Sequence, residues 1–159
     1  MKFSAILFGA ALYLFSSVEA TIVTNTPFNS ITWNGGDNEK VIWADDGKTP
    51  KLADLGITTV DLMVGGDKNQ VLAANIDKVP ATDKQIQYLV PKTVGPPGNF
   101  YFIRYTSAKG GPFFSGLFTI KNVNGNIAGF DPKNPNASNN TTTTTPNNAT
   151  VSNNATAPN

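Results

Sequence analysis

Asn99-Phe100-Tyr101-Phe102-Ile103-Arg104-Tyr105 is the most strand-prone stretch of the chain, since all but its Asn and its Arg are aromatic or β-branched. Tyr101, Ile103 and Tyr105 fall on one face and Phe100, Phe102 and Arg104 on the other, the period of two that an extended backbone imposes. Gly95-Pro96-Pro97-Gly98 breaks the chain before it and Lys109-Gly110-Gly111-Pro112 after it. A strand flanked in this way sets the pattern by which the rest of the chain is read.

Working outward, Phe114 to Ile120 reads as the next strand, with Phe118 and Ile120 on one side. Upstream, Lys84 to Val90 places Ile86, Tyr88 and Val90 against Gln85, Gln87 and Leu89. Thr59 to Val64 sets Val60, Leu62 and Val64 against Asp61 and Met63. Gly65-Gly66-Asp67 turns it toward a hairpin partner at Gln70 to Ile76. Glu39 to Ala44 carries Val41 and Trp43 on one face. Ile22 to Thr26 is a first strand that Ser30 to Trp33 continues, before the turn at Asn34-Gly35-Gly36. Short strands separated by Gly/Pro turns predict an all-β fold, an immunoglobulin/fibronectin-III-like β-sandwich of about seven strands. No helix is expected in this region.

The two ends read differently. Lys2, the apolar run Phe3 to Phe15 and Val18-Glu19-Ala20 have the layout of a signal peptide over 1–20, cut after Ala20. As a membrane anchor the run is too short, because a spanning helix needs about 20 apolar residues. The expected domain is 21–130. From 131 to 159 there is no aromatic residue, and Val151 is the one aliphatic side chain larger than Ala. Such a segment cannot bury enough surface to offset its ordering entropy, so a disordered C-terminal tail is expected. It holds five N-x-[ST] sequons, at Asn136, Asn139, Asn140, Asn148 and Asn154, and the domain holds none. On a secreted chain these are candidate glycosylation sites, and Thr141 to Thr145 suits O-glycans. The competing account is that the sequons are by-products of an Asn/Thr-rich composition.

Composition also removes functions. Lys plus Arg number 12 and Asp plus Glu 11, interspersed, so no electrostatic footprint for nucleic acid is present. The chain has no His and no Cys, which excludes Ser-His-Asp and Cys-His catalysis and imidazole- or thiolate-bound metals. Without disulfides, the domain must be held by core packing. Glycoside hydrolysis needs only two carboxylates, and Asp45-Asp46 is the closest pair. Their Asp-Asp-Gly setting reads as a loop, and the spacing of Asp37, Asp45 and Asp46, considered for calcium, matches no known binding loop. No catalytic residue, metal or cofactor is therefore expected. For sugar stacking the candidate aromatics are Trp33, Phe113 and Phe114, each at a strand end beside a Gly-rich turn. Tyr88 is a further candidate, whereas Trp43, Tyr101 and Tyr105 are expected in the core.

Thr26-Pro27, Trp33-Asn34-Gly35-Gly36, Val41-Ile42-Trp43, Val60-Asp61-Leu62-Met63, Ile86-Gln87-Tyr88-Leu89-Val90-Pro91, Asn99 to Tyr105 and Ser115-Gly116-Leu117-Phe118-Thr119-Ile120 share an order and spacing. In these the chain resembles the N-terminal domain of the fungal KRE/KNH cell-wall-synthesis family, also described as the Ser/Thr-rich GPI-anchored membrane family. The resemblance implies a secreted, extracellular or wall-located fungal protein with a β-sandwich, a role in cell-wall organisation linked to β-1,6-glucan, and no catalytic residues. No site residue carries over. Two features depart from the family: the tail is rich in Asn and Thr, and Ala157-Pro158-Asn159 lacks the hydrophobic run of a GPI signal, so no lipid anchor is expected. The expected partner is cell-wall β-glucan. The alternatives are a carbohydrate- or protein-binding module acting away from the wall, and a weak glycosidase or transglycosylase using Asp45 or Asp46.

Overall fold

A computed structural model describes residues 22–137. The signal peptide expected over 1–20 and the sequons at Asn139, Asn140, Asn148 and Asn154 lie outside the described residues. The strands are β1 (Ile22–Thr26), β2 (Thr32–Asn34), β3 (Asn38–Asp45), β4 (Ile57–Gly66), β5 (Asn69–Pro80), β6 (Gln85–Leu89), β7 (Gly98–Ser107), β8 (Gly110–Phe114) and β9 (Phe118–Lys121). They form two sheets, β1-β3-β6 and β2-β9-β7-β4-β5, with β8 also paired to β7.

The alternation read at Asn99 to Tyr105 is realised in β7. Tyr101, Ile103 and Tyr105 point between the sheets opposite Val64, Leu62 and Val60 of β4, and all six are fully buried. From the smaller sheet Val41, Trp43 and Ile86 meet them. Trp43 lies 5.6 Å from the Tyr105 ring and donates Nε1–H to the Ala81 carbonyl at 2.8 Å, so its polar atom is satisfied inside the core. Thr24 of β1 donates to the Tyr105 hydroxyl at 3.1 Å, tying the sheets together by a side-chain bond.

Two expected strands are each divided, which raises the count from about seven to nine. Thr26-Pro27 and Ser30, at φ 73°, turn the chain out of β1 and into the other sheet, where β2 runs parallel to β9. The run from Phe114 to Ile120 is broken because the Ser115 hydroxyl accepts from the Ile103 N–H at 2.8 Å, taking the place of a ladder carbonyl. Gly116 and Leu117 lie exposed outside the strands before pairing resumes at Phe118. Sharing the first strand between sheets and placing β7 between β4 and β9 is the Greek-key connectivity of immunoglobulin sandwiches.

A second mark of that fold is the tyrosine corner. Tyr101 donates its hydroxyl to the Pro96 carbonyl at 2.6 Å, bracing the loop that enters β7. Burial holds the Tyr101 phenol well above its usual range, so it stays a donor. Tyr101→Phe is expected to cost about 1–2 kcal/mol, the worth of one hydrogen bond to an acceptor left half-satisfied, measured by urea unfolding.

Against the expectation of no helix, a single turn, α1 (Leu52–Leu55), sits after β3. Its start is fixed by Asp54, whose carboxylate accepts from the Lys51 N–H at 2.8 Å, and it delivers Leu52 and Leu55 into the core. One turn is too short for periodicity to reveal.

The packed core runs up to the boundary expected at 130. Val123, Ile127 and Phe130 are buried, and Phe130 lies 4.7 Å from Phe100. Residues 131–137, assigned by composition to the tail, form turns closed by Asn134 N–H to Asp131 O at 3.1 Å and Ala137 N–H to Asn134 O at 3.0 Å. They end beside the β4–β5 turn, where Gly65, at φ 112°, leaves no room for a Cβ against the Asn69 carbonyl.

Candidate functional site

The inward set of β4 and β7 leaves Asp61, Met63, Phe102 and Arg104 on the outer face of the larger sheet. Cross-strand register makes two rows there. In one, Leu72 of β5, Met63 and Phe102 stand side by side; in the other, Asn75, Asp61, Arg104 and Phe114 do.

The second row is a fixed polar cluster. Asp61, 5% exposed, accepts from Asn75 Nδ2 at 2.7 Å and from the Arg104 guanidinium at 2.8 Å. Both carboxylate oxygens are thereby used. Asp61→Ala strands the guanidinium and the Asn75 amide together. A loss of about 2–3 kcal/mol is expected by urea unfolding, below the full cost of breaking a buried pair because Arg104 keeps some contact with water.

Phe102 of the first row and Phe114 of the second line a groove of about 360 Å³. The Phe102 ring lies largely buried at its base, 6.0 Å from Phe114 at an interplanar angle of 62°. Phe114 and Leu117 form one wall and remain 43% and 41% exposed, side by side rather than singly. Asp67, Gln70 and Ser115 supply carboxylate, amide and hydroxyl at the rim. The break in the last strand at Ser115 to Leu117 supplies the part of this wall that follows Phe114. An apolar aromatic floor with a few polar rim groups is the composition of a small-ligand site.

The aromatic residues expected to contact sugar fare unequally. Trp33 is 1% exposed, its ring 4.7 Å from Phe118 and 6.2 Å from Tyr88, because its strand pairs with β9 and turns the indole inward. Phe113 is 6% exposed, since β8 alternates and its neighbour takes the outer face. Both are core residues and present no face for stacking. Tyr88 is half-buried against Trp33. Phe114 alone of the three lies in the groove. Phe102, Leu117, Asp67, Gln70 and Ser115 were not anticipated; a second apolar face on the strand at Phe100 and Phe102 was the available signal.

Asp45 and Asp46 are engaged elsewhere. Asp45 accepts from the Leu52 N–H at 3.1 Å and the Gly47 N–H at 2.8 Å, and these amides hold its carboxyl below the usual range. A general acid needs the opposite shift. Asp46 accepts from the Lys48 N–H at 2.9 Å and pairs with the Lys48 ammonium at 3.5 Å. Asp37 stands at the other end of β3, bonded to Asn34, so the three carboxylates considered for calcium are kept apart. Among the described residues no group of three metal-ligating side chains occurs, and no helix is long and apolar enough to cross a membrane. Asn136, the one sequon asparagine among the described residues, is exposed beside Asp67 and Lys68.

No family model matches the chain, and no curated protein or solved structure matches it either. The resemblance to the KRE/KNH family rests on the segments quoted for it.

Proposed function

We propose that this is a secreted, non-enzymatic fungal cell-wall protein that associates with β-glucan through the groove on the outer face of its larger sheet. The observation that carries the reading is the pair Phe102 and Phe114, edge to face at 6.0 Å, with Phe114 held open to solvent beside Asp67, Gln70 and Ser115. A pyranose presents an apolar face of C–H groups and an equatorial rim of hydroxyls. The rings match the first and the rim groups the second. The KRE/KNH resemblance supports the wall as the place and β-1,6-glucan as the polymer.

Catalysis plays no part in this reading, because Asp45 and Asp46 are bound to their own loop and lie away from the groove. The test is a polysaccharide array probed with the full chain. Retention on β-glucan, and on β-1,6-glucan above other polymers, is expected. Equal signal on every polymer, or none on β-glucan, contradicts the proposal.

A further inference from the structure

We propose that Asn136 carries an N-linked glycan whose first sugars lie in the Phe102–Phe114 groove, so that its occupancy controls access of external glucan. This rests on the secretory and saccharide-binding readings above and adds a regulator to the same site.

The placement comes from the folded end of the described chain. The turns over 131–137 bring Asn136 onto the β4–β5 turn, where Oδ1 takes the space that a Cβ on Gly66 would fill. Nδ2, the atom that receives sugar, lies farther from Gly66, 3.9 Å from that Cβ position, and the residue is exposed. Asp67 lines both the hollow beside Asn136 and the groove that holds Phe102 and Phe114, and Gly66 lines the groove too. A sugar linked at Nδ2 therefore starts in the hollow that Asp67 shares with the groove, one residue away from it. Asn136-Ala137-Ser138 supplies the acceptor sequence.

In the transfer, the amide nitrogen attacks the anomeric carbon of a lipid-diphosphate-linked oligosaccharide. The bond from that carbon to the diphosphate oxygen breaks as the Nδ2–C1 bond forms, the lipid diphosphate leaves with the electron pair, and the nitrogen gives up one proton. A saccharide tethered this closely has an effective concentration of about millimolar. A change of about threefold in accessibility requires the groove to be filled in about two thirds of the molecules, which follows when its dissociation constant for the tethered sugars is about half that concentration or less, while a long polymer making several contacts still competes.

The full chain is produced in a glycosylating eukaryotic host beside Ser138→Ala, which abolishes this sequon and leaves Asn136 and the other four intact. Peptide mass spectrometry reads occupancy at Asn136. Hydroxyl-radical footprinting reads the accessibility of Phe114 and Leu117, with Leu89, 64% exposed on the smaller sheet, as reference. Asn136 is expected to be occupied, and oxidation of Phe114 and Leu117 to rise at least about threefold in Ser138→Ala with Leu89 unchanged. An unmodified Asn136, or equal oxidation of Phe114 in the two proteins, overturns the proposal. Failure of the glucan reading is distinguishable. It shows as absence of β-glucan binding by Ser138→Ala, whereas the difference in footprint does not depend on external glucan.

Discussion

Replacing Trp43 by alanine is expected to lower the unfolding free energy by about 3–5 kcal/mol, the range for truncating a buried tryptophan. The indole is 1% exposed, packs on Tyr105 and bonds the Ala81 carbonyl. It thus links β3 to the 3-10 turn at Ala81–Asp83 and to β7 of the opposite sheet. With no disulfide in the chain, nothing covalent offsets that loss. Domains of this size are stable by about 5–15 kcal/mol, so the variant loses a large fraction of its stability. Urea unfolding of the full chain measures it. Trp43→Phe should lose less, about 1–3 kcal/mol, because the ring volume largely remains while the Ala81 acceptor is orphaned.

The second large effect separates two adjacent phenylalanines. Phe114→Ala is expected to weaken β-glucan binding at least about tenfold, or about 1.4 kcal/mol, while unfolding stability changes by under about 1 kcal/mol. Phe113→Ala is expected to do the reverse, costing about 3–4 kcal/mol of stability through the cavity it opens beneath Gly110 and Gly111. The difference follows from strand alternation alone, since Phe113 faces the core and Phe114 the groove. Binding to immobilised β-glucan and urea unfolding, measured on both variants, check the pair of outcomes.

Alternation also explains what was legible from residues alone. The inward faces of β4 and β7, the burial of Trp43, Tyr101 and Tyr105, and the sandwich class followed from period-two patterns and Gly/Pro breaks. Trp33 and Phe113 depart from expectation for one reason: proximity to a turn does not fix exposure. Where a strand end is paired, as Trp33 is to Ile120 and Phe113 to Tyr105, register decides the side, and register is a tertiary property. The groove was illegible for a related reason. Part of its wall follows the break where the Ser115 hydroxyl interrupts a ladder, and whether a serine does this depends on where its partner strand lies. Residues 131–137 are polar and unburied as the tail reading expects, and local turns with the space at Gly66 set Asn136 against the β4–β5 turn.

The central claim is that the outer face of the larger sheet is the saccharide surface. Amide chemical-shift mapping of Ser138→Ala titrated with soluble β-1,6-glucan oligosaccharides tests it most directly. The account predicts shifts concentrated at Asp67, Gln70, Phe102, Phe114, Ser115 and Leu117, with β1, β3 and β6 unmoved. Shifts centred on the smaller sheet, or none at saturating oligosaccharide, contradict it.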